Sequence, residues 1–130
     1  MTEQQETNEQ NTSKAQFWLE YAQQLAASIR YVEALSAIER VVKLDENNVE
    51  AWYVRGTCLA MLAHYDEALS SFDHALSLND RYVPAWDGKA WVLGILGRKD
   101  EAIVANERAL ELDPHYYQAQ KRQERLESME

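Results

Sequence analysis

The chain has 130 residues, of which 46% are hydrophobic and 27% charged; this suits one domain or a short repeat array and excludes a wholly disordered chain. Four Gly and two Pro are too few for the frequent turns of a β-sandwich or barrel, so an all-α protein is expected. Thirteen basic residues against 22 acidic ones give a net charge of −9, which argues against nucleic acid and against an anionic membrane surface as partners.

Residues 1–14 are mostly Gln, Asn, Glu and Thr, without an aromatic or branched apolar side chain. Such a stretch has too little to bury to offset its ordering entropy and is expected to be a disordered polar tail. It carries neither a basic nor an apolar leader segment, so a cytoplasmic location is expected.

From residue 15 the chain matches itself at a step of 34 residues without a gap. Trp18, Trp52 and Trp86 align, as do Ala22, Gly56 and Ala90, then Leu25, Leu59 and Leu93. Ala34, Ala68 and Ala102 follow the same step, and Asp45, Asn79 and Asp113 close each unit. The predicted repeats are 15–48, 49–82 and 83–116. Each holds two helical patterns. In the first, Trp18, Ala22, Leu25 and Ile29 share one helix face, and Ala34, Ile38 and Val41 share another. Asp66-Glu67 and Asp100-Glu101 place negative charge at the start of a second helix. Pro84 suits a first helical turn and Pro114 a helix end. The aligned small residues let the two helices of a unit approach closely.

Residues 117–130 predict one further helix, far more polar than the others, which fits a C-terminal cap over the last apolar face. Asn106 occupies the apolar register position of Ile38 and Phe72. It is expected either to lie partly exposed against that polar helix or to fix the helix through a hydrogen bond.

The run Ala51-Trp52-Tyr53, Gly56, Tyr65-Asp66-Glu67-Ala68, Phe72, Ala75-Leu76, Leu78 resembles the tetratricopeptide repeat. The third unit repeats the pattern from Ala85-Trp86 to Pro114, and the resemblance covers about four-fifths of the chain. It implies an α-solenoid, a right-handed superhelix of about seven antiparallel helices, in which the first helix of each pair lines a concave groove. It also implies a binding scaffold and no enzyme. The first repeat departs from the pattern, with Ser28-Ile29-Arg30 where the third has a glycine, as terminal repeats do.

Nothing in the sequence suggests catalysis. There is no metal-binding, phosphate-binding or nucleophile motif, and no cofactor or metal is expected. Cys58 is a lone cysteine, which excludes an intrachain disulfide. His64, His74 and His115 lie in different units.

Beside the core-facing stripe of each first helix runs a second stripe of step four. It comprises Leu19, Gln23 and Ala27, then Tyr53, Thr57 and Met61, then Asp87, Trp91 and Ile95. These residues either form a semi-exposed apolar binding surface or pack only against neighbouring helices. The smaller Ala26, Ala60 and Gly94 beside them leave room for a ligand. Glu20, Glu50 and Asp87 make one end acidic, and Lys121, Arg122 and Arg125 make the other basic. The candidate groove residues are therefore Leu19, Gln23, Glu50, Tyr53, Thr57, Met61, Asp87, Trp91, Ile95, Lys121 and Arg125. The expected partner is a protein segment with apolar anchors and a basic portion toward the first two repeats. A chaperone C-terminal carboxylate is not expected. The positions at which the resemblance implies a carboxylate clamp hold Leu19, Gln23, Val54, Pro84 and Gly88, and none can supply the positive charge. The alternative is a self-associating protein that uses the array for homo-oligomer contacts; the chain is expected to be a monomer or a weak homo-oligomer.

Overall fold

The computed structural model describes residues 3–128. Among them are seven helices and no strand: α1 (Glu3–Ala27), α2 (Tyr31–Leu44), α3 (Val49–Met61), α4 (Tyr65–Leu78), α5 (Val83–Ile95), α6 (Lys99–Leu112) and α7 (Tyr117–Glu127). The fold is an α-solenoid. The helices pack as the pairs α1–α2, α3–α4 and α5–α6, with α7 added onto α6 and α5. The odd-numbered helices also touch one another, α1 with α3, α3 with α5 and α5 with α7, so they line one face. No described helix is long and apolar enough to cross a membrane.

The disordered reading of residues 1–14 does not hold for 3–14, which form the first half of α1. The reason is continuity. The stretch lacks Gly and Pro, and it extends a helix that residues 15–27 already anchor, so each residue needs propagation and not a new nucleus. Thr7 and Thr12 add hydroxyl bonds back to the carbonyls of Glu3 and Asn8, both 2.9 Å. Residues 1–2 of that tail and 129–130 of the expected cap lie outside the described residues.

Both kinds of turn repeat with the 34-residue step. Between repeats, Asp45, Asn79 and Asp113 each accept through Oδ1 the backbone N–H two residues on, at 3.1–3.3 Å. This is the Asx turn for which these two residue types are suited. Within each repeat, Ile29, Ala63 and Gly97 adopt φ of 62°, 65° and 75°. The N–H of the following residue bonds back to Leu25, Leu59 or Leu93, at 2.8–2.9 Å, closing the helix in a Schellman motif. Glycine suits that backbone; a β-branched residue does not. Ile29 is 75% exposed, so its side chain contributes little packing in return. Ile29→Gly is expected to stabilise the protein by about 1 kcal/mol, read as a higher midpoint in urea unfolding.

The aligned small residues are fully buried. Ala22, Ala34, Ala68, Ala90 and Ala102 are all at 0% exposure, and Gly56 is buried with them. At Gly56 and again at Gly88 an added Cβ would lie 2.6 Å from the ring of Phe72. Phe72 is thus clamped between α3 and α5, the helix before it and the helix after it. The register position of Phe72 belongs to Ile38 in the first repeat and Asn106 in the third. The position of Gly88 belongs to Val54 and Arg122. Each junction therefore matches a pair: Ile38 with Val54, Phe72 with Gly88, Asn106 with Arg122.

The polar pair docks α7. Asn106 is only 2% exposed. Its Nδ2 donates to the Ala119 carbonyl at 2.8 Å, and its Oδ1 accepts from Arg122 Nη1 at 3.0 Å. Of the two sequence readings of Asn106, the hydrogen bond that fixes the last helix is the one present. Arg122 also pairs with Asp87 of α5.

Helix α7 follows the register of α3 and α5. Ala119 takes the fully buried place of Ala51 and Ala85. Gln120 takes the place of the tryptophans and makes their bond. Trp52 and Trp86 donate through Nε1 to the carbonyl six residues back, and Gln120 does so through Nε2 to Pro114, all at 2.7–2.8 Å. Where α3 and α5 turn apolar residues toward their own partner helix, α7 has Gln120, Glu124 and Glu127, all exposed.

Candidate protein-interaction face

The odd-helix face holds two crevices in the same register. Gln23, Ala26, Glu50, Tyr53, Val54 and Thr57 line a hollow of about 230 Å³ between α1 and α3. Two repeats further on, the same six positions are Trp91, Gly94, Gln118, Lys121, Arg122 and Arg125. Trp91, Gly94, Arg122 and Arg125 line a hollow of about 400 Å³ between α5 and α7, and Gln118 and Lys121 line the one adjoining it. The solenoid repeats the shape of the crevice while the sequence changes its chemistry.

In the first crevice, Gln23 Nε2 donates to Glu50 Oε1 at 2.6 Å. Thr57 donates its hydroxyl to the Tyr53 carbonyl at 3.1 Å. The Tyr53 ring lies edge-on to Tyr82 at 5.8 Å and 6.0 Å from Phe72. Burial raises the Tyr53 hydroxyl pKa, with Asp87 adding to the effect. Burial likewise pushes Tyr82 and Tyr116 up to about 12, helped by Glu50 at the first and Asp87 at the second. All three phenols stay neutral at physiological pH and offer hydrogen bonds without charge. Burial also pushes the Cys58 thiol up to about 11, so it is no reactive nucleophile.

In the second crevice Trp91 is half-buried and stands beside Gly94, whose Cβ position has open space around it. Lys121 Nζ sits 5.6 Å from the Tyr117 ring centroid and 3.5 Å from Glu124. The Arg125 guanidinium makes no ion pair among the described residues and is exposed.

The expected groove residues divide accordingly. Gln23, Glu50, Tyr53 and Thr57 meet in one crevice, and Trp91, Lys121 and Arg125 in the other. Met61 and Ile95 are exposed at the last turns of their helices and line neither. Leu19 requires correction: it is 2% exposed and belongs to the core shared by α1, α2 and α3. Because α1 is flanked by two helices, its buried face is broad enough to take in Ala15, Leu19, Ala22 and Leu25. The charge reading also changes. Asp87 and Arg122 neutralise each other, so neither gives its end of the face a free charge. Tyr82 and Tyr116, missed from sequence, are linked by the 34-residue step that aligns the rest.

Residues 4–75 match the family model described as anaphase-promoting complex, cyclosome, subunit 3, and residues 83–116 the model described as tetratricopeptide repeat. Among curated proteins no sequence matches. Among solved structures, the Arabidopsis OM64 TPR domain is similar at TM-score 0.89 and 19% identity, over 91% of this chain and 98% of that one. The first TPR of Spaghetti (RPAP3) bound to the HSP90 peptide SRMEEVD is similar at 0.85 and 23%, over 89% and 92%. The second TPR domain of human RPAP3, in complex with the HSP70 peptide SGPTIEEVD, is similar at 0.84 and 20%, over 90% and 98%.

Proposed function

Because the chain belongs to the tetratricopeptide-repeat family, on the subunit 3 model over residues 4–75, the tetratricopeptide-repeat model over residues 83–116 and the shared fold of the solved TPR domains taken together, we propose that it is an adaptor that binds a segment of another protein along the odd-helix face. The observation that carries this reading is the pair of register-equivalent crevices, each walled by an aromatic residue, Tyr53 or Trp91. Half-buried aromatics beside open space are the usual anchors of an interface. A basic portion of the partner suits the first crevice, where Glu50 is exposed. The same reading leaves out a chaperone's terminal carboxylate, because Leu19, Val54 and Gly88 are buried and uncharged. A cytoplasmic location accords with it.

The test is affinity capture from the native organism with mass spectrometry, followed by binding of the purified partner to a double variant. Glu50→Ala with Trp91→Ala is expected to weaken binding by about thirtyfold or more while helicity is kept. Tyr53 is unsuitable for this purpose because its ring also packs on Phe72. Unchanged affinity in the double variant would move the site off this face.

A second reading has its own observation. Phe17 and Tyr21 of α1 are 62% and 43% exposed, in the register of Ala51 and Arg55, through which α3 meets the preceding repeat. This accords with self-association through α1, and light scattering across concentration separates the two readings.

A further inference from the structure

We propose that the crevice between α5 and α7 is a subsite for an acidic side chain carried next to an apolar one, so that a bound segment lies with its carboxylate at the α7 end and its cationic or amide-bearing part at the α1 end. The proposal rests on the reading of the odd-helix face as the binding surface and adds what is recognised there and in which direction.

Three observations carry it. First, the two crevices share a register but differ in sign. Glu50 occupies one, and the position two repeats later is the neutral Gln118; Tyr53 and Thr57 are replaced by Lys121 and Arg125, with Glu124 as the one carboxylate beside them, and Lys99 joins Arg122 and Arg125 around the hollow that Trp91 walls. Second, the cations of the α7 crevice are not committed alike. Arg122 is held by Asp87 and Asn106, whereas Arg125 makes no ion pair among the described residues. Lys121 has two exposed partners one turn away, Glu124 and the Tyr117 ring, and exposed contacts of this kind hold a charge weakly. A planar guanidinium on a crevice wall suits a carboxylate bidentately. Third, Trp91 and Leu126 supply an apolar wall, and the missing side chains of Gly94 and Gly97 leave the space. In a chain of net charge −9, a local cluster of cations around an apolar hollow attracts acidic segments that the rest of the surface repels.

The full chain is panned against a phage-displayed library of random 12-residue peptides. Affinities of synthetic selected peptides are then measured by fluorescence anisotropy. Asp or Glu beside a large apolar residue is expected in the selected set. Arg125→Glu is expected to weaken those peptides by about tenfold, with melting unchanged because the side chain is exposed. A second selection on Arg125→Glu is expected to return Lys or Arg at the acidic place. If the peptides depend on Glu50 and Trp91 but show no acidic preference, or tolerate Arg125→Glu, the subsite is refuted and the binding face stands. If they are indifferent to Glu50→Ala and Trp91→Ala as well, or if no peptide is selected, both readings fall.

Discussion

Phe72→Ala is expected to lower the unfolding free energy by about 3–5 kcal/mol, the range for a fully buried aromatic. Phe72 is 0% exposed, and its ring fills the space between Gly56 and Gly88. Neighbours cannot collapse into the gap, because both flanking positions lack side chains. The reciprocal change is equally informative. Gly88→Ala gains about 1 kcal/mol of helix propensity, but its Cβ would sit 2.6 Å from the ring. Overpacking costs about 1–3 kcal/mol, so net destabilisation is expected in the wild-type background. In a Phe72→Leu background the same Gly88→Ala is expected to stabilise, since the smaller side chain frees the space. Urea unfolding of the wild type, Phe72→Leu, Gly88→Ala and the double variant gives the coupling directly. Additive effects would show that the ring is not clamped.

Asp87→Ala is expected to cost about 3 kcal/mol, because it strands the Arg122 guanidinium in a site from which water is largely excluded. The two side chains are 11% and 14% exposed, and Arg122 is also tied to Asn106. The loss is expected to be local to the end of the array. Hydrogen exchange of the α7 amides should speed up well before that of α3 and α4, because α7 is held only by α6 and α5. Replacing Asp87, Asn106 and Arg122 together by Leu, Leu and Met is expected to recover most of the stability. A loss below about 1 kcal/mol for Asp87→Ala would mean that the bridge behaves as a surface pair and that burial of Ala119 and Leu126 alone holds the last helix.

Sequence patterning by itself determined the repeat step, the seven helices and the small residues at the helix crossings. Each depends on local spacing, on turn chemistry such as that of Asp45, Asn79 and Asp113, and on periodic burial. These recur along the chain and can be read without knowing what lies across from them. The status of a side chain at a junction depends instead on two residues far apart, and only the tertiary structure decided it. Leu19 shares its step-four stripe with Gln23, yet it is buried because α1 meets α2 and α3 at once. Asp87 and Arg122 read as opposite ends of a charged groove, yet they cancel each other across 35 residues. Residues 3–14 read as a polar tail from composition, yet they continue a helix that Ala15, Leu19, Ala22 and Leu25 anchor in the core. The 34-residue period carried the crevice positions, but the packing of odd helix on odd helix set which of them face open space, because that depends on the volumes of both partners.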